Sequence, residues 1–252
     1  MNTPLAPYLA GEPPLLLDAK RIAVFTDLHL EPSAYEEIYA FATSLIPLVG
    51  RCDALVILGD LFESYLGRES IVHPTFAPLH QAFEALRRSG CDIYLLRGNR
   101  DVLLNRSDGH HIGFTVADSL LCTTVPGKLL LTHGDAFCLG DLPYQRLRRM
   151  LRRTGMRPFL RALPLFVRRR LSKRLRNYSV QEVARKPLDS MMLTLPKVDE
   201  VMAQEGVQHA WIGHLHAAAT HELGQNRVLE VLPAWEPGTA PRWVAEKLDV
   251  GS

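Results

Sequence analysis

The stretch Arg21-Ile22-Ala23-Val24-Phe25-Thr26-Asp27-Leu28-His29 decides the fold class of this chain. Its apolar and β-branched beginning favours a short buried strand. The strand is followed by Asp27 and His29, two side chains that can bind metal ions. Because alternate residues of an extended chain point the same way, both are expected on one side of the strand end. The stretch therefore predicts an α/β protein with a site beyond a strand's carboxyl end.

The same arrangement recurs along the chain. Strands are predicted at 54–58, 92–96, 129–132 and 209–212, helices at 34–49 and about 76–89, and two closing strands within 227–250. Since ligand sites of α/β sheets lie at the carboxyl ends of strands, the polar strand ends are expected to form one site. These ends read Asp27-Leu28-His29, Gly59-Asp60, Gly98-Asn99-Arg100-Asp101, His133-Gly134-Asp135 and Gly213-His214-Leu215-His216.

The polar strand ends supply the donor groups of a divalent metal centre. Carboxylates, imidazoles and one amide suit Mn²⁺, Fe²⁺ or Zn²⁺, and the lack of thiolates disfavours a structural zinc site. The candidates are too many for one ion and fit two ions that share a carboxylate, a pair that binds phosphoryl oxygens and supplies hydroxide near neutral pH. The candidate ligands are Asp27, His29, Asp60, Asn99, His133, His214 and His216.

These five blocks resemble, in the same order, those of the calcineurin-like metallophosphoesterases, which read DxH, GD, GN(H/R)(D/E), H and GHxH. The resemblance implies a sandwich of two mixed β-sheets flanked by helices. It also implies two metal sites with Asp60 bridging them. The first site would consist of Asp27, His29, Asp60 and His216, and the second of Asp60, Asn99, His133 and His214.

Three further residues near these blocks have expected roles. Arg100 stands where many members of the superfamily have His. A guanidinium stays charged and clamps phosphate oxygens through paired donors, so it favours a pyrophosphate, whose leaving group needs little protonation. Asp101 and Asp135 are expected to orient ligands and donors. Cys138 is expected to be a small buried residue.

Longer segments resemble the UDP-2,3-diacylglucosamine pyrophosphatases of lipid A biosynthesis, namely 60–63, 98–101, 133–138 and 162–170. That family cleaves its substrate to UMP and 2,3-diacylglucosamine 1-phosphate with Mn²⁺ at the cytoplasmic membrane face, directing water at the α-phosphorus. Val183 departs from the family, which commonly has Asn there. The resemblance implies catalytic roles for Asp60, Asn99, Arg100 and His133, and substrate contacts for Asn99, Arg100, Asp141, Ser179, Lys186 and His214.

The charge of the chain is unevenly distributed. Residues 144–176 carry +13 and no acidic residue, whereas the whole chain carries +2, which leaves −11 elsewhere. This asymmetry indicates an anionic partner, with a solvated helical face as the alternative. Leucines interleaved with these basic residues favour a helical cap at about 141–195 that binds acyl chains and contacts anionic lipid. The alternative is that the leucines simply pack the cap on the main domain. The metallophosphoesterase domain is expected at 21–252, after an extension at 1–20.

Composition narrows the class of protein further. Hydrophobic residues make up 47% and charged residues 22%, which excludes a disordered chain. No apolar run is long enough for a transmembrane helix, the first twenty residues lack a secretory signal, and the four cysteines are widely spaced. We therefore expect a cytoplasmic protein, peripherally associated with the inner membrane.

Three rival functions remain at this point. One is a metallophosphoesterase acting on nucleotides, phosphodiesters or phosphoproteins. Another is a nuclease that tracks nucleic acid along the basic segment, disfavoured because the aromatic residues there are few, namely Tyr144, Phe159 and Phe166. No nucleic-acid partner is therefore expected. The third is a scaffold without activity, disfavoured because every expected ligand is present.

Overall fold

Short apolar strands build two sheets in this chain. The computed structural model describes residues 12–123, 128–153, 155–183 and 192–244, and their side chains except those of 176–183. The strands within these ranges are β1 (Leu15–Leu17), β2 (Ile22–Phe25), β3 (Ala54–Ile57), β4 (Asp92–Leu96), β5 (Thr115–Ala117), β6 (Ser119–Cys122), β7 (Leu129–Thr132), β8 (His209–Ile212), β9 (Ala219–Glu222), β10 (Val228–Val231) and β11 (Arg242–Val244). The α-helices are α1 (Tyr35–Leu45), α2 (Arg68–Ile71), α3 (Ala77–Arg88), α4 (Arg106–Ile112), α5 (Leu142–Leu151), α6 (Met156–Ala162), α7 (Leu165–Val183) and α8 (Leu195–Glu205).

Both sheets are mixed. The five-stranded sheet has the order β11-β2-β3-β4-β5, in which β2 to β5 are parallel and β11 is antiparallel to β2. The six-stranded sheet has the order β1-β6-β7-β8-β10-β9, with antiparallel pairs at β6–β7 and β10–β9. The predicted fold, an α/β sandwich of two mixed sheets flanked by helices, is confirmed.

The two sheets pack face to face on an apolar core. Val24 and Val56 of the five-stranded sheet share a buried cluster with Leu120 and Leu131 of the six-stranded sheet. A second cluster joins the other face of the five-stranded sheet to α1 and α3, and a third joins α8 to the six-stranded sheet. Because the central strands β2 and β3 are buried on both faces, their sequences are continuously apolar, and they could be predicted from the sequence.

The bounds of several predicted elements agree with the structure. The strands expected at 92–96, 129–132 and 209–212 are β4, β7 and β8. The helix expected at 34–49 is α1 followed by a 3₁₀ turn, Ile46–Leu48, where Pro47 has no N–H to continue the α-helical ladder. The two closing strands are β10 and β11, and they belong to different sheets.

Four strands were not predicted. β1 lies inside the expected N-terminal extension and pairs with β6, so residues 15–17 form an edge of the six-stranded sheet. β5 and β6 stand between β4 and β7 in the chain, so the strands that precede the five polar ends are not consecutive. β9 is a polar edge strand whose sequence, Ala219-Thr220-His221-Glu222, lacks an apolar face.

Helices α5 to α7, here called the helical insert, carry the basic segment. Several of its arginines pair with acidic residues of other elements, so part of the positive charge is used to anchor the insert. These pairs are Arg148–Asp135 at 2.7 Å, Arg152–Asp118 at 2.9 Å, Arg161–Asp108 at 2.8 Å and Arg168–Glu69 at 2.9 Å. The basic side chains that remain exposed are Arg146, Arg149, Arg153, Arg169, Arg170, Lys173 and Arg174. Across the described residues, no helix combines the length and apolar character needed to span a bilayer.

Candidate metal centre

The strand ends release their polar side chains through an unusual backbone conformation. Asp27, His29, Asp60, His214 and His216 have φ values of 52°, 51°, 52°, 70° and 61°. Positive φ is uncommon for residues with a side chain and costs about 1–3 kcal/mol each, so such residues concentrate at functional sites. Asp27 and His29 do lie together, as expected. The expected cause, an extended chain whose alternate side chains point the same way, is wrong, because both residues have positive φ. The turn of the backbone brings them together.

The first group of candidate ligands surrounds the carboxylate of Asp27. Its Oδ1 lies 3.9 Å from Nε2 of His29 and 3.6 Å from Nε2 of His216, and the two imidazole nitrogens are 3.1 Å apart. Oδ2 of Asp27 accepts hydrogen bonds from the Thr26 hydroxyl at 2.6 Å and from the backbone N–H of His214 at 2.8 Å. The oxygen that faces the imidazoles, Oδ1, is buried and has no hydrogen-bond partner in the described part of the chain.

The second group converges on the amide of Asn99. Its Oδ1 lies 3.0 Å from Nε2 of His133 and 3.1 Å from Nδ1 of His214. Nε2 of His133 is also 3.7 Å from Oδ2 of Asp60. Asp27, Asp60 and His133 can offer one ligand atom each within 4.8 Å of one another, and so can Asp27, His29 and His216. The structure therefore brings all seven candidate ligands to one place.

The protonation of the imidazoles suits a cation. Nδ1 of His133 lies 3.0 Å from the carbonyl oxygen of Leu58, to which it donates, so Nε2 carries a lone pair toward Asn99. Two lone-pair atoms at 3.0 Å repel each other unless a cation or a proton lies near them. Together with the orphaned Oδ1 of Asp27, this arrangement fits divalent metal ions.

Burial controls the charge of the carboxyl groups here. Burial and the neighbouring Asp27 raise the pKa of Asp60 to about 7, and burial and Asp60 raise the pKa of Asp101 to about 7. For Asp27 the effect of burial is outweighed by His216, His133 and Thr26, so its pKa lies below the usual range. Burial lowers the pKa of His214 to about 4, which keeps this imidazole neutral.

Two glycines permit close approach of the loops. A Cβ at Gly98 would collide with Oδ1 of Asp60, and one at Gly213 would collide with the side chains of Thr26 and Asp27. These glycines let the backbone approach the carboxylates that face the centre.

Asp101 and Asp135 occupy supporting positions. Asp101 accepts hydrogen bonds from the backbone N–H groups of Gly98 at 2.6 Å and Leu61 at 3.2 Å, and so joins two ligand loops. Burial alone would raise the pKa of Asp135, but the guanidinium groups of Arg148 and Arg152 hold it well below the usual range. Asp135 thereby ties the helical insert to the loop after β7. Cys138 is buried, as expected.

A cavity of about 320 Å³ extends from the metal centre beneath the helical insert. Asn99, Arg100 and Glu63 lie at its polar end, and its lining is mostly apolar elsewhere. Asp141 lines it while accepting a hydrogen bond from the backbone N–H of Tyr144 at the start of α5. The apolar side chains that line it include Val102, Leu103, Leu147, Leu151, Leu160, Leu171 and Leu175.

The remaining predicted substrate contacts are only partly placed. Ser179 and Val183 belong to α7, but their side chains fall outside the described part of the chain, and Lys186 lies outside the described residues altogether.

Two cavity residues were missed by the sequence prediction. Tyr144 donates to Asp135 at 2.5 Å and its ring faces His214, and Glu63 contacts two predicted site residues. Glu63 stands within the run Asp60–Glu63, which was the available signal.

A sandwich of two mixed sheets with Asp, His and Asn side chains gathered at the strand ends defines a metal-dependent phosphoesterase. The model of the calcineurin-like phosphoesterase family matches residues 20–218, and the chain belongs to this family. The protein is similar to UDP-2,3-diacylglucosamine hydrolase of Stutzerimonas stutzeri, with 36% identity over 219 residues that span 85% of this chain and 91% of the relative. A protein of the same name from Pseudomonas entomophila is 35% identical over the same shares.

Solved structures are similar at much lower sequence identity. A dimetal phosphatase from Danio rerio superimposes with a TM-score of 0.47 and 10% identity, covering 88% of this chain and 90% of that one. The protein TT1561 of Thermus thermophilus superimposes with a TM-score of 0.42 and 9% identity, covering 86% of this chain and 90% of that one.

Proposed function

We propose that this protein hydrolyses the pyrophosphate bond of UDP-2,3-diacylglucosamine, releasing UMP and 2,3-diacylglucosamine 1-phosphate. One observation carries the proposal: the candidate metal centre opens directly into the apolar cavity beneath the helical insert. Such a cavity suits a substrate that joins a phosphate group to acyl chains. The relatives from Stutzerimonas and Pseudomonas, which carry the name UDP-2,3-diacylglucosamine hydrolase, support the same substrate.

The metal ions would be two divalent cations, with Mn²⁺ as the proposed pair. When bound, they supply a nucleophile from water at neutral pH and Lewis-acid stabilisation of phosphoryl oxygens. The chain's part is to hold them, with Asp60 proposed as the shared ligand. The proposed ligands are Asp27, His29, Asp60, Asn99, His133, His214 and His216.

Arg100 is proposed to bind the pyrophosphate. Its guanidinium lies at the polar end of the cavity, and its Nε is buried without a partner in the described part of the chain. A phosphate oxygen placed there would accept a hydrogen bond from Nε, and the guanidinium would offset the negative charge that develops on the phosphate oxygens as the bond breaks. Water then attacks the α-phosphorus, the bond from this atom to the bridging oxygen breaks, and the sugar 1-phosphate leaves. Asn99, His133 and His214 line the same reaction space. Asp141 is proposed to contact the glucosamine-nucleotide part of the substrate, and Ser179 and Lys186 are proposed as further substrate contacts.

The helical insert is proposed to act as the cap that receives the acyl chains. Its inner side supplies apolar lining, whereas its outer side exposes Phe159 and Phe166 beside basic residues. An apolar and basic surface of this kind favours contact with an anionic membrane, from which a lipid substrate could enter.

The test is a product assay with UDP-2,3-diacylglucosamine, Mn²⁺ and ¹⁸O-labelled water, read by mass spectrometry. We expect one ¹⁸O atom in UMP and none in the sugar phosphate. Label in the sugar phosphate would overturn attack at the α-phosphorus. If the protein does not cleave this lipid but cleaves bis(p-nitrophenyl) phosphate in the presence of Mn²⁺, the proposed substrate is rejected. That result would favour a phosphoesterase of other specificity.

Leu147→Glu tests the acyl cavity separately from the metal centre. The new carboxylate would lie among the cavity's apolar side chains, so we expect KM for the diacyl substrate to rise about tenfold or more, in line with losing the burial of one large apolar group. Leu142→Glu is the matched control, because Leu142 lies on the same helix and is 59% exposed outside the cavity lining. Equal KM values for both variants would argue against acyl binding there.

A further inference from the structure

Glu63 stands where the loops after β2 and β3 run side by side. The backbone N–H of His29 donates to the carbonyl of Asp60 at 2.9 Å, and that of Leu30 donates to Leu61 at 2.9 Å. The N–H of Glu63 returns a hydrogen bond to the carbonyl of Leu30 at 3.0 Å. These bonds continue strand-like pairing past the ends of the sheet. The backbone therefore holds Glu63 beside His29 independently of its side chain.

The two carboxylate oxygens of Glu63 contact two different site residues. Oε2 lies 3.1 Å from Nδ1 of His29, and Oε1 lies 3.4 Å from Nη1 of Arg100. His29 belongs to the proposed metal ligands, and Arg100 to the proposed pyrophosphate contacts. Glu63 thus contacts one residue from each of the two parts of the site.

The chemistry of both contacts requires a carboxylate. A negative oxygen at Nδ1 favours the His29 tautomer with its proton on Nδ1, which leaves the lone pair on Nε2, the atom that faces Asp27 and His216. The Arg100 guanidinium offers only donors. Both partners present N–H groups to Glu63. A glutamine at this position could face one partner with its amide oxygen, but it would then turn its own N–H groups toward the other.

We propose that Glu63 is a positioning residue that couples the metal centre to the substrate arginine. One oxygen places its negative charge 3.1 Å from Nδ1 of His29, without the alignment of a hydrogen bond, and so favours the metal-binding tautomer electrostatically. The other accepts a hydrogen bond from Arg100 at the polar end of the cavity. The inference rests on the proposed metal centre and goes beyond it, since it assigns a role to a residue that binds neither metal nor substrate. It also explains why an acidic residue lies next to a site built to bind a polyanion.

Isothermal titration of the metal-free, full-length protein with Mn²⁺ tests the first contact. We expect Glu63→Gln to weaken Mn²⁺ binding about 10- to 100-fold at one of the two sites, the range typical for loss of a carboxylate behind a histidine ligand. Glu69→Gln is the matched control. Glu69 is also a carboxylate paired with an arginine, Arg168, at 2.9 Å, but no contact with a proposed ligand is found for it within the described residues.

The tautomer of His29 gives a second measurement that a purely structural role would not change. ¹⁵N NMR of the metal-free protein should show the Nδ1-protonated form of His29 in the parent and a mixture of tautomers in Glu63→Gln, with the signal assigned from His29→Gln. If Glu63→Gln does not fold, Glu63→Asp provides both readouts, because its shorter carboxylate retains the charge but cannot reach both partners.

The outcomes separate this inference from the proposed function. Mn²⁺ affinity within twofold of the parent, with an unchanged His29 tautomer, would overturn the role of Glu63 and leave the metal centre standing. A parent protein that binds no Mn²⁺ would overturn the metal centre itself. Failure to cleave the lipid affects neither readout, since neither uses the substrate.

Discussion

Asp60 illustrates at the scale of one residue how a functional group opposes stability. Its side chain is fully buried beside Asp27, and burial with that neighbouring charge raises its pKa to about 7. A carboxyl group with a raised pKa contributes stability below about pH 4 that is lost as the pH rises toward 7. The metal-free protein is therefore expected to lose stability over this range, because Asp60 becomes a buried negative charge.

Asp60→Asn should separate stability from activity. The amide keeps an oxygen for the backbone N–H of Arg100, which now donates to Asp60 Oδ1 at 2.8 Å, but it removes the charge. We expect the metal-free variant to melt at a higher temperature than the parent at pH 8 and at a similar temperature near pH 4. Mn²⁺-dependent activity should fall by at least about 100-fold, since loss of even an outer partner costs up to that much. Normal turnover in this variant would exclude a bridging role for Asp60.

The identity of the site residues was accessible from the sequence, but their conformation was not. Polar residues directly after apolar strands indicated one site, and the structure brings all seven candidate ligands together. The positive φ angles of Asp27 and His29 were missed because hydrophobic patterning carries no information on backbone turns of single residues. Glu63 was overlooked because its two partners lie 34 and 37 positions away in the chain.

At the scale of elements, the buried carboxylate of Asp108 connects α4 to the helical insert. It is the N3 residue of α4, in a capping box with Asn105, and it also accepts a hydrogen bond from the hydroxyl of Tyr65 at 2.7 Å. Arg161 of α6 pairs with both of its oxygens. A single buried charge thus joins a helix end, a loop and the insert.

Arg161→Met is expected to destabilise the protein by about 3 kcal/mol, because the buried Asp108 carboxylate would then have only Arg68 as a nearby cation, half-exposed and 4.0 Å away. Arg88→Met is the control, since the Arg88–Glu84 pair lies on the exposed face of α3 and should contribute at most about 0.5 kcal/mol. Urea unfolding followed by circular dichroism measures both. Similar midpoints for the two variants would show that the Asp108 pair does not anchor the insert.

Among the elements, the central strands were easier to predict from the sequence than the edge strands. Central strands such as β2 and β3 are apolar throughout and were found, whereas β1, β5 and β9 are edge strands of three or four residues and were missed. β6 was also missed, although all four of its residues are buried. The helical character of the basic segment was predicted. Its ion pairs with other elements were not, since Asp118 and Asp108 lie 34 and 53 positions from Arg152 and Arg161.

At the scale of the whole molecule, the net positive charge is concentrated in the helical insert, whose sequence between residues 144 and 176 has no acidic residue. The ion pairs described above neutralise some of its arginines. Among the side chains of the insert that the structure describes, seven basic ones remain exposed, as do Phe159 and Phe166. The remainder of the chain has a formal charge of −11 outside residues 144–176. This polarity favours one orientation at an anionic surface.

Vesicle flotation should show binding to phosphatidylglycerol vesicles and not to phosphatidylcholine vesicles. Binding should weaken as salt rises from about 0.05 to about 0.5 M, because the screening length, about 10 Å near 0.1 M, shortens over this range. Phe166→Ser should reduce binding. Ile46→Ser is the control and should not reduce it, because Ile46 lies outside the helical insert while its exposed fraction, 63%, is close to the 72% of Phe166. Equal loss in both variants would argue against the insert as the contact surface.

The two sheets contribute to the metal centre together, and this has a consequence for the newly made chain. Asp27 and the backbone N–H of His214 are joined at 2.8 Å although 187 positions separate them. On a ribosome that adds about 5–20 residues per second, the first ligands emerge well before the last pair. The candidate centre can therefore close only after His216 has been made, so the chain would capture its metal ions after both sheets have formed.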